Sequence, residues 1–344
     1  MTTSAKYACT VALLAGLTAL PAVAAEPSLL ERCWPASALT AREGERTPVK
    51  GARGHAQPVP PLPHSTANAT PAQLRGAIRR VTLPAGQKLV ALTLDLCEQP
   101  GEIAGYDGAI IDYLRARSLK ATIFTGGKWF MTHAERSQQL IADPLFEMGS
   151  HGWAHRNVRA LTGRALIEEV RGPEAAFQTQ RANLAANHCT TAAPNAAAAL
   201  QARLNLYRFP FGACNADALG TIAGNGMLAI QWDVSTGDSS KAETAEAIAR
   251  SLINDVRPGS IVLAHANGRG HNTAEALRIA VPRLEAKGFK FVTVSELLAA
   301  GKPVITDTCY DHKPGDTDKY DALFQPRRKA PEAADAKPTP TLPR

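Results

Sequence analysis

Phe146-Glu147-Met148-Gly149-Ser150-His151-Gly152-Trp153-Ala154-His155 runs a short, largely apolar segment directly into two imidazoles four residues apart. Residues at i and i+4 share one face of a helical turn, so the spacing predicts a turn that aims both rings at a single ion. Neutral imidazole is the commonest ligand for zinc-like metals, which makes His151 and His155 candidate metal ligands. The segment before them reads as a strand, so the pair is expected at a strand end.

Outward from this point, short apolar runs alternate with helical patterns. Lys88 to Leu96, Ala121 to Thr125, Leu206 to Phe209, Leu228 to Val234, Ser260 to His265 and Lys290 to Val294 read as strands. Between and after them, Gly108 to Arg117, Arg164 to Asn183, Asp217 to Gly224, Thr244 to Val256 and Thr273 to Lys287 read as helices, and a short helix closes the series. Repetition of this kind implies an α/β fold with a parallel sheet, and roughly two hundred residues suffice to close it into a distorted parallel (β/α) barrel. Asp95, the histidine pair, Arg208, Asp233 and His265 fall at or just beyond strand ends, where barrel enzymes collect their reactive groups.

The flanks have a different character. Residues 1–25 read as an export signal: Lys6, an apolar run from Val11 to Leu20, and small residues at Ala22-Val23-Ala24 before a cleavage point near Ala25 or Glu26. The apolar run is short for a membrane span, which takes about eighteen residues or more, so no transmembrane segment is expected. The mature protein is therefore expected in the periplasm or secreted. Residues 26–86 read as an irregular, Pro-rich extension containing Pro58-Val59-Pro60-Pro61-Leu62-Pro63, and residues 301–344 as a C-terminal extension disordered at its end. Residues 87–300 are left as the catalytic domain.

A net charge of +7 suits an acidic envelope polymer. The basic residues are scattered, without the interleaved aromatics of a single-strand nucleic-acid binder, and no nucleic-acid partner is expected. Beyond Cys9 in the leader, five cysteines remain at 33, 97, 189, 214 and 309, an odd number in a compartment that permits disulfides. If the segments bearing Asp95 and Arg208 meet at one site, a Cys97–Cys214 bridge follows, and Cys33–Cys309 would tie the two extensions together.

Together these groups suit hydrolysis of an amide or ester. A metal polarises the carbonyl and activates water, a carboxylate takes the proton of that water, and a histidine protonates the leaving group. In their order along the chain they resemble the polysaccharide deacetylases, carbohydrate esterase family 4 with its NodB-homology domain, over roughly Lys88 to Ala300. That family has a Thr-Phe-Asp-Asp segment, a His-x3-His pair, an Arg-x-Pro-Tyr/Phe segment, an Asp-x-x-Asp-Trp segment and a closing Leu-x-His. Here Thr93-Leu94-Asp95-Leu96, His151 and His155, Arg208 to Phe211, Ser235 to Ser239 and Leu263 to His265 take those places. The resemblance implies Asp95 as base, Arg208 as its orienting partner, and the backbone N–H of Phe211 as an oxyanion donor. It also implies Asp238 as the carboxylate tuning the catalytic histidine, Leu263 as a wall of the acetyl pocket, and His265 as general acid. Trp232, with Trp153 and Tyr207, offers a flat face for a sugar ring.

Two positions depart from that pattern. Leu96 stands where the second Asp, a metal ligand, belongs, and leucine coordinates nothing. Glu98 and Asp107 are the nearby oxygen donors preferred to replace it; Cys97 offers a thiolate but is expected in a disulfide. Two histidines with water, or Asp95 itself as ligand, are the other possibilities. Ser239 replaces the Trp and is expected to widen the groove. The resemblance thus implies an exported hydrolase that removes acetyl groups, N- or O-linked, from an acetylated polysaccharide. Its cofactor would be a divalent metal, zinc foremost, with cobalt and nickel also accepted by such ligands. The rival readings are a non-catalytic glycan-binding protein of the envelope that has lost a metal ligand, and a hydrolase of a small non-sugar amide or ester.

Overall fold

The computed structural model describes residues 26–51, 57–62 and 67–321. The leader, Pro63 and the C-terminal end expected to be disordered lie outside the described residues. Twelve strands are formed: β1 (Val49–Lys50), β2 (Ala77–Thr82), β3 (Leu89–Leu96), β4 (Glu102–Ile103), β5 (Ala121–Thr125), β6 (Phe146–Ser150), β7 (Leu206–Tyr207), β8 (Leu228–Ile230), β9 (Val234–Ser235), β10 (Ile261–His265), β11 (Lys290–Phe291) and β12 (Lys302–Thr306) among the described residues. The main sheet runs β12-β2-β8-β7-β6-β5-β3-β10-β9, with β11 pairing to the start of β3. Every neighbour in it is parallel except β12, which lies antiparallel on β2. Pro303 is tolerated in β12 because that strand is an edge, where a missing N–H disrupts no second ladder.

The expected barrel is present as a curled sheet that only just meets itself. Its closure rests on a bridge between Arg80 and Ser260 and on the Val81 N–H donating to the Gly259 carbonyl at 2.8 Å. Gly259 permits this approach. Its φ is +87°, and a Cβ there would sit 1.7 Å from the Val81 carbonyl oxygen.

Alternation along β3 shows how the layers form. Val90, Leu92, Leu94 and Leu96 belong to the large cluster between sheet and helices, packing with Ile110, Leu114, Phe130 and Leu277. The residues between them turn inward: Ala91 joins the barrel interior with Ile78, Phe124, Ile230, Ile261 and Leu263. The outer helices carry their own start signals. Asn215 accepts from the Ala218 N–H, Thr244 from the Ala247 N–H, and Thr293 with Glu296 forms a reciprocal capping box.

Three expectations about the flanks are corrected. Residues 26–86, read as irregular, contain β2 in the main sheet and a helix, Leu29–Cys33, capped by Ser28 and Glu31. The stretch from 301 likewise begins with β12. The cysteines pair as Cys33–Cys189 and Cys214–Cys309, leaving Cys97 free and buried. The expected pairs fail because Leu29–Cys33 packs against the helix His188–Thr191 rather than beside the C-terminal extension, while the chain after β12 passes over the Cys214 loop.

Candidate active site

Parallel register delivers the reactive groups to one rim. His265 ends β10 and Asp95 is the penultimate residue of the adjacent β3; the two are direct partners in the β3–β10 ladder, so they stand at the same level at the C-terminal mouth. Ser150, the residue before His151, pairs with Tyr207, the residue before Arg208, in the β6–β7 ladder. The four C-terminal strand ends open into a cleft of about 520 Å³ lined by Asp95, Cys97, His151, His155, Trp232 and His265 among others. Placement of these groups at strand ends follows the general rule for barrel enzymes.

Asp95 is buried and held by Arg208, whose Nη1 donates to its Oδ1 at 2.9 Å and to Thr93 Oγ1 at 2.6 Å. Arg208 is fully enclosed, with its guanidinium 4.1 Å from the Phe124 ring centroid. Burial pushes the Arg208 pKa down and the charge of Asp95 opposes this, so each ion is the counter-charge the other needs in a dry setting.

The histidine pair is reached by an irregular loop, not by the helical turn expected from its spacing. Residues 151–157 have no helix; Gly152 and His155 take left-handed φ values of +76° and +53°, and the two rings meet edge to face with centroids 5.0 Å apart. Glu169 fixes this loop. Its Oε1 accepts the N–H groups of Ala154 and Arg156 at 3.0 and 2.9 Å, and its carbonyl accepts that of Trp153. Burial raises the Glu169 carboxyl to about 7, and the hydrogen bonds from the loop work against that rise.

The His151 Nδ1 lies 3.0 Å from the Arg208 carbonyl, which only accepts, so Nδ1 carries the proton and Nε2 is left with a lone pair. That Nε2 faces Asp95 Oδ2 at 3.4 Å. Burial lowers the pKa of His151 despite the charge of Asp95, and lowers that of His155 much further, with His151 adding to the effect. The His151 Nε2 lone pair and the Asp95 carboxylate then face each other, an arrangement that a cation relieves. The Nδ1 of His155 is buried without a hydrogen-bond partner in the protein. One ligand atom each of Cys97, His151 and His155 lies within 4.8 Å of the others. This donor set fits a divalent metal of the zinc type.

His265 completes the rim. Its Nδ1 sits 2.7 Å from Asp238 Oδ1, and Asp238 Oδ2 accepts the His265 N–H at 2.8 Å and the Thr273 hydroxyl at 2.7 Å. Burial alone would depress the His265 pKa, but the charge and hydrogen bond of Asp238 outweigh it and hold the imidazole above its ordinary value. Asp238 is correspondingly lowered: burial opposes this, and the paired His265 and its other donors prevail.

Of the remaining residues singled out in the sequence, Phe211, Leu263, Trp232 and Ser239 line the cleft. Trp153 and Tyr207 do not; both are packed in the core. Asp233 accepts from Arg257, Ser260 and the Ile261 N–H, so it braces the approach to β10. The two oxygen donors preferred for the Leu96 gap are also elsewhere. Glu98 is enclosed with Lys128 at 3.0 Å, Thr132 and the Ala104 N–H, and Asp107 precedes the helix Gly108–Ala116 and pairs with Arg46 at 2.9 Å. Neither reaches the cleft wall. The sequence reading also passed over the segment after Cys309: Asp311, Lys313 and Tyr320 form one side of the cleft, with Trp232 Nε1 donating to Asp311 Oδ1 at 2.8 Å.

Residues 82–230 match the family model for polysaccharide deacetylases. That stretch, somewhat under half of the chain, is similar to the polysaccharide deacetylases. The match ends before Asp238 and His265, and it is the β3–β10 register that joins His265, with Asp238 beside it, to the matched stretch. A peptidoglycan-N-acetylglucosamine deacetylase of Bacillus cereus is 26% identical over 64% of this chain and 71% of its own length. A chitooligosaccharide deacetylase of Azorhizobium caulinodans is 25% identical over 53% of this chain and 82% of its own length. Among solved structures, a pseudoenzyme of carbohydrate esterase family 4 from Bacillus anthracis superposes with a TM-score of 0.53, at 21% identity over 65% of this chain and 69% of that one. The last likeness is one of fold.

Proposed function

We propose that this chain is an exported, metal-dependent hydrolase that removes acetyl groups from an acetylated glycan. The observation that carries the reading is the convergence of Asp95, the two imidazoles and His265 on one cleft, with Asp95 and His265 in direct strand register. The names of the two relatives make an N-acetyl amide on an aminosugar the first substrate to test. Among the described residues no helix is long and apolar enough to cross a membrane, and the two disulfides suit an oxidising compartment, which accords with export.

His151 and His155 hold the metal. When bound, the metal supplies Lewis-acid polarisation of the acyl carbonyl and makes water more acidic at neutral pH. Asp95, kept in place by Arg208, accepts a proton as water attacks the acyl carbon. The backbone N–H of Phe211, a residue of the cleft wall with left-handed φ of +62°, is assigned the stabilisation of the developing oxyanion. His265, protonated because Asp238 faces its Nδ1, donates to the departing amine. Leu263 and Trp232 give the acetyl and sugar groups apolar walls.

Separate Asp95→Asn and His155→Ala substitutions are expected to reduce acetate release from an N-acetylglucosamine oligomer by about 100-fold or more, the scale of losing a positioned acid-base group. Turnover equal to the native protein in either variant removes that residue from the mechanism. The second reading, a glycan binder without turnover, draws on Leu96, which lies in the core at the position of the family's second Asp and offers a metal nothing. Glycan affinity with no acetate released by the metal-loaded protein would establish it.

A further inference from the structure

We propose that Cys97 is the third protein ligand of the metal, so that the centre is a two-histidine, one-thiolate site. This rests on the reading of His151 and His155 as metal ligands. Alternation along β3 sends Leu96 outward into the helix layer and returns Cys97 to the face that carries Asp95, one residue past the strand end. A change of residue type at the family's ligand position is thereby answered by the next side chain on the correct face. The sulfur lies with a nitrogen of each histidine inside a cluster spanning no more than 4.8 Å, and Asp95, Glu98 and Asp107 are not members of it.

Two further observations fit a thiolate ligand. The other cysteines of the described residues are committed to disulfides, whereas Cys97 is free and sits in the cleft wall. Asn267, itself buried, donates through Nδ2 to the Cys97 carbonyl at 2.8 Å and to its Sγ at 3.0 Å, while its Oδ1 accepts from the Arg269 N–H at 3.2 Å. A side-chain amide anchored at both ends and directed at sulfur is the kind of outer support that fixes a ligand's orientation and favours its charged form. The ligand class follows from the donors: sulfur selects borderline-soft divalent ions such as zinc and cobalt over magnesium, calcium or manganese. Binding replaces the thiol proton by the metal, with the proton passing to solvent and no change of oxidation state.

The test uses the full mature chain, stripped of metal and reloaded with cobalt(II), with far-UV circular dichroism verifying the fold of each variant. The native protein should show the near-UV sulfur-to-cobalt charge-transfer absorption, and its Cys97 should lose reactivity toward a thiol reagent on loading. Cys97→Ser should lose the absorption and bind zinc at least about tenfold more weakly, Cys97→Asp should recover affinity without the absorption, and Asp95→Asn should retain both. Cobalt bound without the absorption in the native protein, or Cys97→Ser binding zinc as tightly as native, overturns the thiolate ligand and leaves the histidine pair standing. His155→Ala binding metal as tightly as native overturns the histidine reading and this proposal with it. The native spectrum decides the matter even if a Cys97 variant fails to fold.

Discussion

Two charge pairs set the chemistry of the rim, and they differ in what a proton does to each. Asp95 meets a guanidinium that cannot release its proton, whereas Asp238 meets an imidazole that titrates. A histidine pKa held above its ordinary value keeps the acid protonated at pH values below that raised pKa, and activity that needs the proton is lost as pH rises through it. Asp238→Asn removes the raising charge, so the alkaline limb of the kcat/KM profile should move to lower pH and turnover at neutral pH should fall by about tenfold or more. An alkaline limb that stays in place would mean that His265 is not the group observed. Asp95, Arg208, His151, His155 and His265 were legible in the sequence because each follows a recognisable apolar run, and their order along the chain matches one family. Cys97 was visible but misassigned: the expected export argued for a disulfide, whereas the two-residue period of β3 places it on the face of Asp95.

At the scale of the element, the loop between β6 and Gly163 carries the greatest demand, since it presents two rings to one point without helical geometry. The i, i+4 spacing correctly indicated that the rings meet, but Gly152 and His155 reach that meeting through left-handed backbone, for which spacing carries no signal. What stabilises the loop is Glu169, on the long helix Gly163–Ala186 and fourteen residues from His155 in sequence (169 minus 155). A Glu on a helix face ordinarily reads as a solvated charge, so its role was not legible. Glu169→Ala leaves the buried Ala154 N–H and the part-buried Arg156 N–H without their acceptor, the buried one costing about 1–3 kcal/mol. Metal affinity should fall roughly 10–100-fold, the range for outer support of metal ligands. Glu169→Gln retains an acceptor oxygen and should recover most of it. Equal affinity in the Ala variant and native protein, measured by competitive zinc titration, would remove Glu169 from the support of the site.

Across the molecule, the chain after β12 turns back over the barrel mouth and becomes part of the cleft. Cys309 is tied to Cys214, Arg79 donates to the carbonyls of Tyr310 and Asp311 at 2.6 and 2.7 Å, and Arg159 pairs with Asp318 and Asp321 at 3.1 and 2.9 Å. Tyr320 then packs against Phe211 with its ring tilted, centroids 5.1 Å apart. Replacing Cys214 and Cys309 together by Ser should lower stability by about 2–5 kcal/mol and raise KM for an oligomeric glycan, while kcat stays within about twofold. An unchanged KM would deny this wall a part in substrate binding. The barrel itself was legible because strand and helix periods alternate cleanly from Leu89 to Ala299. Its closing strands were not, since β2 and β12 lie in Pro-rich or polar surroundings and take their place through long-range pairing. The central claim is that these distant pieces assemble a hydrolytic site, and the direct measurement is acetate and free amine production from an N-acetylglucosamine oligomer by the zinc-loaded protein. Equal amounts of the two products, abolished by chelation and restored by added zinc, are predicted. Oligomer bound by the zinc-loaded protein with neither product formed would contradict it.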